Sequence, residues 1–282
     1  MGRYRRTTEF KYGNCLKQSM AHFSRHIKIT LRLFIMIVAV FFFNQCSSEN
    51  TTFVSIPQTS PAPLTSPLPQ PQPPTQTISK KVSYIALGDS YTIGQSVCVT
   101  CRFPEQLKKK LESTITSLSV DLKIIAQTGW TTTNLINAIK EQQPTSDHKL
   151  VTLLIGVNNQ YQNREFSIYE TEFPQLVKTA ITLAKGDKNS VIVLSIPDYA
   201  YTPFGQRSIN PTQISTEIDR YNAFAKSYCD TNGITFIHIT DITRLGLEET
   251  YLVATDGLHP SEKAYSLFVD RIASKASAIV QK

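Results

Sequence analysis

From Lys81 onward the chain alternates short, nearly uninterrupted apolar runs with longer amphipathic stretches, and no other feature narrows its fold so far. The runs are Val82–Leu87, Leu122–Ala126, Val151–Ile155, Val191–Ile196 and Thr235–Ile239. Between and after them the apolar residues recur at helical spacing over Pro104–Leu118, Thr132–Glu141, Ile168–Ala184, Ser215–Cys229 and Glu262–Val280. Gly186 and Gly233 follow two of these stretches, where glycines end helices in the left-handed conformation. A strand that reads as a continuous apolar run is covered on both faces, as in a parallel sheet. Regular alternation of strand and helix therefore predicts one α/β domain over residues 81–282. It has three layers, α/β/α, around a five-stranded parallel sheet. In such sheets ligands bind beyond the carboxyl ends of the strands, so chemistry is expected in the loops after each run.

The segment before this domain has a different character. Eight Lys and Arg stand among residues 1–46 against one acid, Glu9, which leaves 21 basic and 21 acidic residues in the remainder. The formal charge of +7 is thus a property of the first segment, and the neutral body gives no reason to expect nucleic acid. Leu33–Phe43 is an uncharged apolar run of eleven residues. That is short of the roughly 20 a bilayer span needs and suits the core of an export signal. Cys46 closes it, followed by Ser-Ser and a polar stretch, an arrangement that resembles a bacterial lipoprotein signal with Cys46 as the lipidated residue. An uncleaved signal anchor is the alternative, and Met20 is a possible true start. Residues 47–80 hold eight of the chain's fifteen prolines and no glycine. Such sequence favours extended polyproline II, at about 3.1 Å per residue a tether of up to ~100 Å. The expected organisation is an export signal over 1–46, a disordered tether over 47–80 and an exported domain held at the membrane.

Cys98 and Cys101 are spaced C-x-x-C. In an oxidising compartment the pair reads as a local disulfide stiffening a loop. A redox role is the functional alternative, and a zinc site lacks two further ligands at credible spacing.

Four loops carry candidate chemistry. Gly88-Asp89-Ser90-Tyr91 follows the first run and places a serine at the sheet edge, although Gly-Asp-Ser is also ordinary turn composition and Asp89 could cap a helix. Gln127-Thr128-Gly129-Trp130 follows the second, where a glycine lets a backbone N–H approach a ligand. Gly156-Val157-Asn158-Asn159 follows the third and offers carboxamide donors. Asp256-Gly257-Leu258-His259-Pro260 precedes the last helix. A serine hydroxyl needs an imidazole to take its proton, and the imidazole needs a carboxylate to fix its tautomer; Asp256 and His259 have a spacing that permits this. Of the three histidines in the body, His148 precedes a strand at the wrong end of the sheet and His238 falls inside the last strand, as a core or sheet residue. His259 remains. The Ser90 and Gly129 N–H groups and the Asn158 amide are donors suited to an oxyanion.

These blocks, GDSY, the glycine of TGW, GVNN and DGLHP, resemble in this order the blocks of SGNH (GDSL-like) hydrolases. The resemblance covers residues 82–280. It implies a flavodoxin-like sheet and hydrolysis of esters or thioesters without metal or organic cofactor. It also implies a triad of Ser90, Asp256 and His259 and an oxyanion hole of Ser90, Gly129 and Asn158. Many members have G-x-N-D where this chain has Asn158-Asn159, which bears on the neighbour's hydrogen bonds rather than on the catalytic asparagine. Around the pocket, Trp130 either walls the acyl site or packs; Tyr161 and Pro197-Asp198-Tyr199 are rim groups, with Asp198 more simply a loop hydrogen-bonding residue. A monomer acting on a small-molecule, glycan or lipid ester at the cell envelope is expected. An O-acyltransferase on the same triad and a noncatalytic surface-binding protein are the competing readings. No G-x-G-x-x-G or P-loop is present, which excludes dinucleotide binding of those kinds.

Overall fold

A computed structural model describes residues 79–282, so the expectations for the signal, Cys46 and the greater part of the tether lie outside the described residues. Five strands form one sheet: β1 Lys80–Gly88, β2 Leu118–Ala126, β3 Leu150–Leu154, β4 Val191–Leu194 and β5 Thr235–Ile237. Their order is β2-β1-β3-β4-β5, and every neighbouring pair is parallel. The three interior strands are those whose sequence reads most continuously apolar. β3 and β4 are buried at every position, and β1 from Tyr84 onward. β1 pairs with β2 on one side and β3 on the other, so the chain reverses its direction of travel across the sheet there.

Helices cover both faces. α1 (Ser90–Ile93) and α2 (Phe103–Thr114) follow β1, and α3 (Thr132–Gln142) follows β2. α4 (Val157–Tyr161) and α5 (Phe166–Leu183) follow β3, and α6 (Pro211–Asn232) follows β4. α7 (Thr240–Thr243) and α8 (Glu262–Gln281) close the chain. α2 packs on α8 over one face; α3, α5 and α6 pack in sequence over the other. The first face is built on Phe103, Leu107, Leu111, Tyr265, Phe268 and Ile272, all fully buried. On the second, Tyr169 stacks on Phe173 at 5.2 Å and meets Tyr221 at 4.6 Å between ring centres. Each such aromatic carries 150–250 Å² of buried area in proteins generally, so these clusters hold the helices to the sheet. Gly186 (φ 82°) and Gly233 (φ 65°) take the left-handed conformation expected of helix ends.

Two local expectations are corrected. The first helix ends at Thr114 rather than at Leu118, and β2 begins at Leu118. As an edge strand β2 alternates buried and exposed positions from Leu118 to Asp121, which hides its beginning from a search for apolar runs. β5 ends at Ile237, so His238 lies outside the strand. Its half-exposed ring pairs with Asp241, which in turn binds Arg271.

Candidate active site

The four loops converge at the carboxyl ends of β1, β2 and β3. The turn after β1 is tight because Gly88 has no side chain: a Cβ there would lie 2.1 Å from Thr92 Oγ1 and 2.4 Å from the Leu154 carbonyl. Asp89 then caps α1, its Oδ1 accepting from the Tyr91 N–H at 3.0 Å, and Ser90 opens the helix. Asp89 is wholly buried and its Oδ2 has no hydrogen-bond partner among the described residues. Burial pushes its carboxyl up to about 7, against the opposing effect of backbone N–H donors.

Gly129 takes φ 85°, a conformation that L side chains rarely adopt, although a Cβ there would meet nothing within 4 Å. The requirement is conformational rather than one of space. Asn158 lies in α4, buried, and its Nδ2 donates to the Trp130 carbonyl at 3.0 Å. One N–H of an amide is thereby used for orientation and its second is left over. The Ser90 and Gly129 N–H groups donate to no acceptor within the domain.

His259 is held on the other side. Its Nδ1 lies 2.6 Å from Asp256 Oδ2, and its backbone N–H donates to Asp256 Oδ1 at 3.0 Å. The loop is pinned by an antiparallel bridge between Val253 and Pro260, and the Tyr91 ring meets the imidazole edge-on at 5.8 Å. Burial alone would raise the Asp256 carboxyl, but hydrogen bonds from Ser96 Oγ, the His259 ring and the His259 and Leu258 N–H groups hold it well below the usual carboxylate range. Asp256 is therefore ionised at any ordinary pH.

Ser90, Gly129, Asn158 and His259 line one cavity of about 270 Å³, together with Tyr91, Val157, Tyr161, Tyr199, Phe204 and Leu258. No hydrogen bond joins Ser90 Oγ to His259 Nε2, although both residues line the space. A serine hydroxyl, an imidazole bonded to a carboxylate, and N–H groups without acceptors around one space are groups that acyl transfer can use.

Other sequence candidates fall elsewhere. The Trp130 side chain packs against the core and contributes its carbonyl, not its ring, to the site. Asp198 is buried, its Oδ2 accepting from Ser215 Oγ at 2.7 Å and Arg244 Nε at 2.9 Å, a loop-holding role. His148 bonds Ser83 at the opposite end of the sheet. Asn159 explains the departure from G-x-N-D. Its Oδ1 accepts from the Thr132 N–H at 2.9 Å while its Nδ2 donates to Thr132 Oγ1 at 2.7 Å. Thr132 Oγ1 in turn gives its proton to Glu172 on α5 at 2.5 Å. With that proton spent on Glu172, the partner at 159 must be a donor, which Asn is and a carboxylate is not.

Three residues were not expected. Ser96, at φ 68°, donates to Asp256 Oδ2 at 2.6 Å across 160 residues of chain. It stands two residues before Cys98, whose disulfide to Cys101 closes the same loop. Gln162 Nε2 donates to the Gly129 carbonyl at 2.9 Å, and Phe204, whose N–H bonds the Gly257 carbonyl, joins the cavity wall. These contacts depend on the tertiary fold; only Gln162, one helical turn beyond Asn158, carried a local signal.

Solved structures with the same arrangement of strands and helices include three bacterial proteins. A member of the lipolytic protein G-D-S-L family from Veillonella parvula is 19% identical with a TM-score of 0.52, covering 69% of this chain and 97% of its own. An acetylxylan esterase from Geobacillus stearothermophilus is 17% identical (TM-score 0.53; 71% and 96% covered). A lipase/acylhydrolase from Enterococcus faecalis is 18% identical (TM-score 0.52; 70% and 96%). At these identities they establish the fold. Among curated proteins none matches the chain. The model of the GDSL-like lipase/acylhydrolase family matches residues 86–267, almost the whole domain and every loop of the site, and the chain belongs to that family of ester hydrolases.

Proposed function

We propose that the protein hydrolyses carboxylic esters through Ser90, His259 and Asp256. The observation that carries this reading is the oriented imidazole: His259 Nδ1 donates a hydrogen bond to an ionised Asp256, which leaves Nε2 as the unprotonated nitrogen of a ring lining the same cavity as Ser90. With an ester in place, Nε2 takes the Ser90 proton as Oγ attacks the carbonyl carbon. The oxyanion is met by the Ser90 and Gly129 N–H groups and the second N–H of Asn158. The imidazolium then protonates the departing alcohol. Water, deprotonated by the same nitrogen, releases the acid from the acyl-serine and restores the hydroxyl. Asn158, fixed by Trp130, supplies a donor of a kind whose loss costs about 2.7–4 kcal/mol of transition-state stabilisation.

The chemistry belongs outside the cytoplasm in this reading. The Cys98–Cys101 disulfide fits an oxidising compartment, and the N-terminal sequence supplies an export signal with Cys46 as a lipid anchor.

The test is hydrolysis of p-nitrophenyl acetate by the full chain against Ser90→Ala. A loss of about a thousandfold or more is expected; equal rates in the two proteins exclude the mechanism. For the anchor, the native chain is expected in the membrane fraction and Cys46→Ala in the soluble one. Retention of Cys46→Ala with the membrane would exclude lipidation at Cys46 as the attachment.

A further inference from the structure

The catalytic cavity does not end at its own walls. Tyr161, Tyr199 and Phe204 also line a second cavity of about 490 Å³, and this one shares Gln160, Asn163 and Glu217 with a third of about 230 Å³. The three spaces thus follow one another along the surface, away from Ser90, each joined to the next by residues common to both. The first, with Val157 and Leu258 among its apolar walls, has room for a short acyl group.

The outer two differ in chemistry. Gln160 and Glu217, common to both, belong to a chain of hydrogen bonds built before any ligand arrives. Tyr199 Oη donates to Gln160 Oε1 at 2.9 Å, and Gln160 Nε2 donates to Glu217 Oε2 at 2.7 Å. Gln213 Nε2 donates to Glu217 Oε1 at 2.8 Å. Gln160 is nine-tenths buried, so the wall is fixed from within. Asn163, Asn210 and Arg207 add polar groups to the 490 Å³ space. Carboxamides present donor and acceptor on one rigid plane, which suits hydroxyls that are themselves both. Tyr161, half exposed, offers an aromatic surface at the junction, 6.1 Å from Phe204 between ring centres. The 490 Å³ space also has apolar walls in Phe204, Ile209 and Ile214, and Gln160, Gln213 and Glu217 satisfy one another, but the Asn163 and Arg207 side chains make no hydrogen bond among the described residues and would be stranded under an alkyl chain. A chain of hydroxyl-bearing rings would pair with them.

We propose that the outer cavities form a glycan-binding groove and that the substrate is an oligosaccharide carrying a short acyl ester. The acyl group lies at Ser90 and the sugar chain runs past Tyr161 toward Glu217. The proposal rests on the esterase reading for its chemistry and on the groove alone for its binding. Contacts remote from the ester contribute to the transition state, so longer glycans raise kcat/KM and not merely affinity.

The experiment compares p-nitrophenyl acetate with O-acetylated oligosaccharides of xylose, glucose and N-acetylglucosamine, each from one to four units, using the full chain. Two variants probe the groove. Asn163→Gly removes a carboxamide while suiting a residue at φ 51°, and Arg207→Ala removes a guanidinium. At least one sugar series is expected to show kcat/KM rising about tenfold or more from one unit to four. The variants should reduce the ratio of glycan to p-nitrophenyl acetate activity by a similar factor, with thermal midpoints showing that they remain folded. Length-independent rates in all series, or ratios the variants leave unaltered, overturn the groove while Ser90-dependent p-nitrophenyl acetate hydrolysis upholds the esterase reading. Binding of unacetylated tetrasaccharides to Ser90→Ala reads the groove without catalysis. Binding weakened by Asn163→Gly supports it, and no binding to any of the three overturns it.

Discussion

Asp89 sits beside the proposed nucleophile with one carboxylate oxygen capping α1 and the other without a hydrogen-bond partner among the described residues. Its folded pKa of about 7 lies above the roughly 3.9 of an unfolded aspartate, so between these values the native state holds a proton that the unfolded state has lost. The associated stability is full below the unfolded value and is lost as pH rises through about 7. Thermal or denaturant unfolding followed between about pH 5 and 8 should therefore show a decline attributable to this residue, at most about 1.4 kcal/mol per pH unit. Asn at this position keeps the acceptor for Tyr91 and carries no charge. Asp89→Asn is expected to remove that part of the slope and to be the more stable protein at pH 8; parallel profiles for the two would show that the carboxyl is ionised throughout. At this scale the sequence was informative where chemistry restricts residue type. Ser90, Asn158 and His259 stood out because few side chains can do their work and each followed a strand or preceded a helix. Ser96 and Phe204 did not, since nothing in a serine after a short helix indicates an aspartate 160 positions away.

Among the elements, α3, α4 and α5 are joined at one point by Thr132, Asn159 and Glu172. Asn159→Asp replaces a donor by an acceptor while Thr132 has a single hydroxyl proton, so one of two carboxylates is left facing an oxygen. A loss of roughly 1–3 kcal/mol is expected in denaturant unfolding. Glu172→Gln in the same chain supplies the missing donor and should recover most of it. An unchanged midpoint in Asn159→Asp, or no recovery in the pair, would mean that water relieves the conflict. The elements themselves were largely legible. Interior strands announce themselves by continuous apolar sequence because both faces are covered, and helices by their single buried stripe. The strand ends were less legible: β2 begins four residues before Leu122 because an edge strand alternates buried and exposed positions there, and β4 and β5 each stop two residues short of their apolar runs because Ile196 and Ile239 are buried in the loops beyond.

For the molecule as a whole, the strand–helix alternation determined the three-layer arrangement, and the arrangement then said where to look for a site. Which strands are neighbours was not readable from periodicity and came with the resemblance to a known fold. The groove beyond Tyr161 was not readable either, because its walls come from α4, α6 and the loop between β4 and α6, brought together only by packing.

β1 also sets the distance between the start of the domain and its site. The chain enters at Lys80, at the amino end of the central strand, while Ser90 lies just past its carboxyl end, so about nine residues at ~3.3 Å each separate entry from site. Lys80 Nζ bonds the carbonyl of Val280 at 2.9 Å, which brings the finish of α8 to the same end. Entry and exit thus share the pole opposite the cavity. A tag fused beyond the finish of α8 would therefore stand a sheet's length from the cavity and leave its opening clear.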